Sequence, residues 1–279
     1  MTAPKPLDYS YTDTSVYELL LRVRPCQLAA ALKTCLHIRR RRVLTSTGHT
    51  FFVDPVSLFG ISLLRDRIYE PQMTKLLYLV LRPSDTFLDV GGNEGYFSVI
   101  ASTLVPDGAV HCIEPQERLQ PVLRRHFEVN GASRAVAHRT ALSDRDGRAN
   151  LFVRPSTNTG ASSMFRHWKV GTAAESVPCT TLDAFLMRNI PGQVRLMKVD
   201  CEGAESLIVA GAADALKRRR VDFIAMEYHP AICGEARCAS IHSALTEAGY
   251  CLRTIGGQTI YHLPGLEGDL RRLEEPLEQ

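Results

Sequence analysis

Apolar residues recur along this chain at two different periods, and the rhythm changes near residue 85. Before that point, residues 14–36 carry helical spacing (Val16, Leu19, Leu20 and Val23, then Leu28, Ala31, Leu32 and Cys35), broken at Pro25. Residues 43–53 read as a hairpin turning at Thr47-Gly48-His49, and Glu70-Pro71 opens an apolar helix over residues 72–81. Beyond residue 85, short strand-like runs (86–90, 109–113, 135–140, 149–153, 195–200 and 222–227) are interspersed with helical stretches (96–104, 119–130, 204–216 and 241–248). A strand pair at 250–254 and 259–262 closes the series. Asn130-Gly131 and Gly249 stop two of the helices, and Lys217-Arg218-Arg219-Arg220 sets cations at the negative end of a third. Strands alternating with helices require βαβ crossovers, so the pattern predicts an α/β fold with a mostly parallel sheet covered on both faces. A helical and hairpin extension, residues 1–65, precedes it. A charged tail, residues 264–279, is expected to fray.

Composition narrows the partners. The 279 residues are 45% apolar and 23% charged, and 33 Lys and Arg against 30 Asp and Glu leave a net charge of +3. So small an excess speaks against a nucleic-acid binder, and the four arginines 39–42 are expected to face water at a strand edge. The longest apolar run, residues 76–81, is far below the roughly 20 residues of a membrane span. Asp8, Asp13 and Glu18 interrupt any secretory pattern, so a cytoplasmic location is expected. The eight cysteines form no CxxC pair, which argues against a structural zinc site and for free thiols in a reducing compartment.

The first chemical motif is Asp89-Val90-Gly91-Gly92-Asn93-Glu94-Gly95, between a strand and a helix. Gly91 allows a sharp turn off the strand, and Gly95 is expected to let the helix pack close to the sheet. Asn93 tolerates a left-handed backbone better than most residues. A dinucleotide would bring pyrophosphate beside Asp89, and like charges about 4 Å apart repel by about 4 kcal/mol at an effective dielectric of 20. S-adenosyl-L-methionine carries no phosphate and has a cationic sulfonium, so it suits Asp89 better than NAD does. Glu114 ends the next strand 25 residues on, near the offset at which an acid grips a ribose diol.

The second motif is Lys198-Val199-Asp200-Cys201-Glu202-Gly203-Ala204-Glu205, at the carboxyl end of a later strand, where open α/β sheets place their ligands. Asp200 is expected to face the crevice, and Glu205 to cap the following helix. The next strand ends in Glu227-Tyr228-His229-Pro230, adding an acid and an imidazole to the same rim. Asp200, Glu227 and His229 are therefore the candidate catalytic groups for acid–base work, His229 being the most tunable base. No metal site is assigned, although these three residues could alternatively hold a divalent ion. The polar segment 155–176, which contains the lone Trp168, is expected to fold over the acceptor.

Taken in order, Tyr69-Glu70-Pro71, the stretch from Phe87 to Ser98, Glu114-Pro115, Ala141-Leu142-Ser143-Asp144 with Gly147, Thr181-Leu182-Asp183 and the Lys198–Glu205 motif make residues 66–263 resemble the FkbM-type methyltransferases. The resemblance implies a seven-stranded Rossmann-like domain over those residues that uses S-adenosyl-L-methionine to O-methylate a small-molecule hydroxyl acceptor, a sugar or natural product. It implies that Asp89, Gly91, Gly92, Asn93, Gly95, Glu114 and Pro115 hold the methionine and ribose parts, and that Ser143 and Asp144 lie near the adenine edge. Gly92 and Glu94 depart from the family, which more often has Ala and an apolar or small residue there. Residues 1–65 match it poorly and would serve as a cap or as the arm of a homo-oligomer. An NAD-linked oxidoreductase and a non-catalytic binding module that retains the fold are the alternatives.

Overall fold

A computed structural model describes residues 14–23, 26–165 and 173–273. The chain divides into two compact units, residues up to 69 with 155–157, and residues 70–154 with 158 onward.

In the first unit the helical spacing becomes α1 (Ser15–Arg22) and α2 (Cys26–Cys35), and the hairpin becomes antiparallel β1 (Arg41–Leu44) and β2 (Thr50–Val53). A further helix, α3 (Leu58–Asp66), was not expected. Its Phe59, Gly60, Ile61, Leu63 and Leu64 are buried while Leu58, Arg65 and Asp66 are exposed, so an apolar residue on the solvent face and a glycine on the buried face blur the helical period. Ser57 starts it by accepting a hydrogen bond from Gly60 N (2.9 Å). Lys33 pairs with Asp54 and also donates to Ser156 Oγ. The four arginines are exposed, as expected.

The second unit begins with α4 (Pro71–Val80) and continues through β3 (Thr86–Val90), α5 (Tyr96–Leu104), β4 (Ala109–Ile113), α6 (Gln120–Val129) and β5 (Ala135–His138). Next come β6 (Ala141–Leu142), β7 (Gly147–Val153), β8 (Ala173–Thr180), α7 (Leu182–Asn189), β9 (Val194–Val199), α8 (Glu205–Ala210) and α9 (Ala213–Lys217). It ends with β10 (Val221–Met226), α10 (Pro230–Cys233), α11 (Glu235–Glu247), β11 (Cys251–Ile255), β12 (Gln258–His262) and α12 (Glu267–Leu270). Seven strands form one sheet in the order β11-β12-β10-β9-β3-β4-β5. The run from β10 to β5 is parallel, and β12 lies antiparallel between β10 and β11. The fold is thus the expected α/β doubly covered sheet, with Leu88, Val90, Ile113, Met197, Val199 and Ile224 in its core. Among the described residues no helix is long and apolar enough to cross a membrane.

Three expectations change. The helix over 204–216 is two helices, broken at Gly211-Ala212, where Gly211 lies so close to the Ser143 carbonyl that a Cβ there would stand 2.1 Å from its oxygen. Part of the segment read as a polar loop is strand β8, which pairs with β7 and β6 in a separate three-stranded sheet. Residues 166–172, including Trp168, fall outside the described residues. Finally, residues 264–273 pack instead of fraying. Leu270 and Leu273 are buried, and Lys75 Nζ donates to the Leu273 carbonyl (3.1 Å). Arg195, near the start of β9 and buried, binds Asp222 of β10 (2.9 Å), Asp269 of α12 and the Val80 carbonyl (3.0 Å), with Asp85 at 3.7 Å. A nearly buried cation is tolerated only when paired this fully.

Candidate active site

β3 lies between β9 and β4, so its last residues are flanked on both sides. Asp89 stands opposite Cys112 of β4 and Lys198 of β9 and is fully buried. Its Oδ2 accepts from Ser98 Oγ (2.6 Å), while Oδ1 is buried with no hydrogen-bond partner. Burial pushes this carboxyl up, against the pull of Lys198 and Ser98. The chain then turns at Gly91, whose φ is +82° and where a Cβ would lie 1.9 Å from the Asp200 carbonyl oxygen. Gly92 has a different reason. The Cys112 sulfur sits 2.2 Å from where an alanine methyl would go, so glycine at 92 and cysteine at 112 share one space. Glu94, the other departure from the family pattern, is buried, and its carbonyl accepts from His126 Nδ1 (2.7 Å). Gly95 caps α5, but its close neighbours are Leu123 and Phe127 of α6; it serves helix–helix packing where packing on the sheet was expected.

Glu114 follows β4 and is nearly inaccessible. Its carboxylate accepts from Asn93 N (3.0 Å) and Gln116 N (2.8 Å), tying the glycine turn to the bend at Pro115. Burial outweighs these bonds and raises its pKa to about 7. Asn93 adopts the left-handed conformation (φ 47°). Its Oδ1 accepts from Thr159 Oγ1 (2.8 Å), Gln116 Nε2 donates to the Thr159 carbonyl (3.1 Å), and Ser163 Oγ donates to the Glu202 carbonyl (2.6 Å). The described part of the polar segment therefore reaches both acidic motifs. An orphaned buried Asp89 oxygen, a turn without side chains at 91 and 92, and a backbone-fixed Glu114 fit a cationic nucleoside with ribose hydroxyls. Ser143 and Asp144 follow β6. They bond each other (3.1 Å), Ser143 N donates to the Thr180 carbonyl, and Asp144 pairs with Arg145; no hydrogen bond or ion pair joins them to the turn or to Glu114 among the described residues.

The second motif closes around His229. Its Nδ1 lies 2.9 Å from Oε1 of Glu205, which is wholly buried. Its Nε2 lies 3.8 Å from each of Asp200 Oδ1, Glu202 Oε2 and Glu227 Oε1. Glu205 also accepts from Cys201 N and Gly203 N (both 3.1 Å), so it braces the loop and the imidazole as well as standing at the head of α8. Burial lowers the His229 pKa, but the Glu205 bond and the surrounding acids overcome it, leaving the ring raised to about 9. It is therefore an imidazolium at neutral pH, where the sequence pointed to a free base. Glu202 was given no catalytic role, yet it sits in the cluster, with burial raising its pKa to about 7, and adopts a left-handed φ of 50°. Such a backbone at a non-glycine residue in an acidic motif marks a constrained site. Lys198 Nζ pairs with Asp200 Oδ2 (3.0 Å) and lies 5.2 Å over the Phe97 ring. Asp200, Glu227 and His229 offer atoms within 4.8 Å of one another, a set that could also take a hard divalent ion. Glu227, half-exposed, opens onto a cavity of about 390 Å³ lined by Glu70, Tyr228, Gln258 and Thr259.

Residues 89–252, more than half of the chain, match the Methyltransferase FkbM domain. The chain is similar to a Methyltransferase 1 of Beauveria bassiana (24% identity over 151 residues, 47% of this chain and 60% of that protein). It is also similar to the 2-O-methyltransferase NoeI of Sinorhizobium fredii (27% over 169 residues, 55% of this chain and 67% of that protein). Among solved structures, a methyltransferase FkbM from Methylobacillus flagellatus KT aligns over 88% of this chain and 57% of that one, at 19% identity and a TM-score of 0.43. The match thus spans about six tenths of the Beauveria and Methylobacillus proteins. The chain belongs to the FkbM methyltransferase family.

Proposed function

We propose that the protein transfers a methyl group from S-adenosyl-L-methionine to a hydroxyl of a small-molecule acceptor, a sugar or natural product. The observation that carries this reading is His229 Nε2, held at 3.8 Å from three carboxylates beside a half-exposed Glu227 and a polar cavity. When bound, the cofactor supplies a methyl already activated by a sulfonium. Asp89, Gly91, Gly92, Asn93 and Glu114 would hold it, Asp89 and Glu114 through free lone pairs of buried carboxylates. The remaining work is alignment and removal of one proton. Alignment is worth up to about 7–11 kcal/mol when geometry is ideal. The hydroxyl proton passes to a carboxylate, Glu202 or Glu227, both raised toward neutrality by burial and therefore basic enough to matter. The His229 imidazolium, steadied by Glu205, stabilises the alkoxide that forms, and Lys198 keeps Asp200 in place. Gln258, Thr259 and Glu70 line the cavity with groups that pair with acceptor hydroxyls.

The test is incubation with methyl-deuterated S-adenosylmethionine and a panel of glycosides, polyols and phenols, with mass spectrometry of the products. A methyl ether on a hydroxyl acceptor is expected. Labelled methyl on nitrogen or carbon only, or calorimetric binding of NAD and not of S-adenosylmethionine, would overturn the reading.

A further inference from the structure

Away from the catalytic rim, three side chains from the C-terminal hairpin and the turn after it converge. Cys251 starts β11 and stands directly opposite His262, the last residue of β12, and Glu267 begins α12 five residues later. One ligand atom from each lies within 4.8 Å of the others. His262 is fully buried. Its Nδ1 lies 3.0 Å from the Leu263 carbonyl, which can only accept, so Nδ1 carries the hydrogen and Nε2 keeps a lone pair. That Nε2 is buried with no hydrogen-bond partner among the described residues. Native interiors rarely leave such an atom unpaired without a reason. A carbonyl on one imidazole nitrogen and a bare lone pair on the other is also how metal-bound histidines are oriented. Glu267 is steadied by Gly265 N (3.2 Å), and the Cys251 thiol is free and partly exposed.

We propose that Cys251, His262 and Glu267 form a binding site for a thiophilic divalent cation such as zinc. Sulfur and imidazole together favour zinc or cobalt over magnesium or calcium. On binding, a metal–sulfur bond replaces the S–H bond and the thiol proton leaves to water, while His262 donates its existing lone pair. Three protein ligands leave the fourth tetrahedral position to a water. Bonds of about 2.0–2.3 Å place tetrahedral ligands roughly 3.5 Å apart, so the side chains close by about 1 Å. Because β12 runs against β10, Thr259 pairs with Met226 near the catalytic cavity, whereas His262 pairs with Phe223 at the other end. The two ends are about 10 Å apart along the strand. The ion therefore fastens the C-terminal segment to the sheet edge and takes no part in the transfer. Cysteine spacing could not reveal the site, since strand pairing and a turn bring its ligands together.

The full-length protein, stripped with chelator, is titrated with cobalt(II) and then zinc(II). One cobalt per chain is expected, with thiolate-to-cobalt charge-transfer absorption that zinc displaces. Zinc at a hundredfold excess over its dissociation constant should raise the melting temperature by about 5–10 °C, since ligand stabilises by RT ln(1 + [L]/Kd). Cys251→Ser, at a partly exposed position, should abolish the charge-transfer band, and Glu267→Gln should weaken binding. His229→Ala should leave the band intact, because no thiolate belongs to the Asp200, Glu227 and His229 set. Absence of the band in the native protein, or its persistence in folded Cys251→Ser, would overturn the proposal.

Discussion

Replacing Glu205 by Gln tests the electrostatic logic of the second motif. The substitution keeps the shape of the side chain and leaves an amide oxygen to accept from Cys201 N and Gly203 N, so the loop should hold. What disappears is the negative charge 2.9 Å from His229 Nδ1. A hydrogen bond to a charged group is worth about 1.5–3 kcal/mol, and one pKa unit is 1.36 kcal/mol, so the His229 pKa should fall by about 1–2 units. The three carboxylates remaining at 3.8 Å limit the fall. From about 9 in the native protein, the ring should then titrate near 7–8. The assay is an NMR titration of the His229 ring protons, assigned by the loss of that resonance in His229→Ala. The alkaline limb of the rate–pH profile should move down by the same interval. If the ring still titrates near 9 in a folded Glu205→Gln protein, Glu205 is not what holds its proton; if it titrates below 7 in the native protein, the imidazolium role fails.

Four further outcomes follow from the same geometry. Activity should rise through about pH 7 as Glu202 ionises and fall through about pH 9 as His229 loses its proton; a profile flat across that range would refute the pairing. His49, His111 and His138 are lowered and oppose the raised groups below about 6.5, but above it Glu114 and Glu202, raised to about 7, and His229, raised to about 9, leave the folded chain with more protons than the unfolded one, so stability should decline as pH rises from about 6.5 to 9, read by thermal melts. Gly92→Ala should cost about 1–3 kcal/mol in denaturant melts by crowding Cys112, and adding Cys112→Ala should recover part of that loss, giving a coupling between the two changes. Arg195→Ala should cost about 3–5 kcal/mol, since it removes a buried cation that bonds Asp222, Asp269 and the Val80 carbonyl at once; a cost below 1 kcal/mol would show the network to be dispensable.

Much of the second unit could be read from periodicity. The strands at 86–90 and 109–113 and the helix at 96–104 are where apolar spacing puts them, because a sheet buried on both faces demands uninterrupted apolar runs. The acidic motifs at Asp89, Glu114, Asp200 and Glu227 also lie at strand ends, as their positions after those runs implied. Periodicity failed where the pattern was blurred. α3 carries exposed Leu58 on its solvent face and Gly60 on its buried face, and β8 is a polar strand in a small separate sheet. It also failed where chemistry depends on contacts between distant residues. No spacing rule links Gly92 to Cys112, Glu205 to His229 or Thr159 to Asn93, yet these contacts decide which groups are charged and which turns are allowed.

The Arg195 hub has one more implication. It clamps four stretches of chain at the rim where the parallel strands begin, while the opposite rim carries the turns, acids and cavity. β9 and β10 thus have a base pinned by charge and a crown that carries the acids and the cavity. Amide deuteration should creep in from the crown and reach the base last, which leaves the crown free to reshape around successive ligands without loosening the footing beneath it.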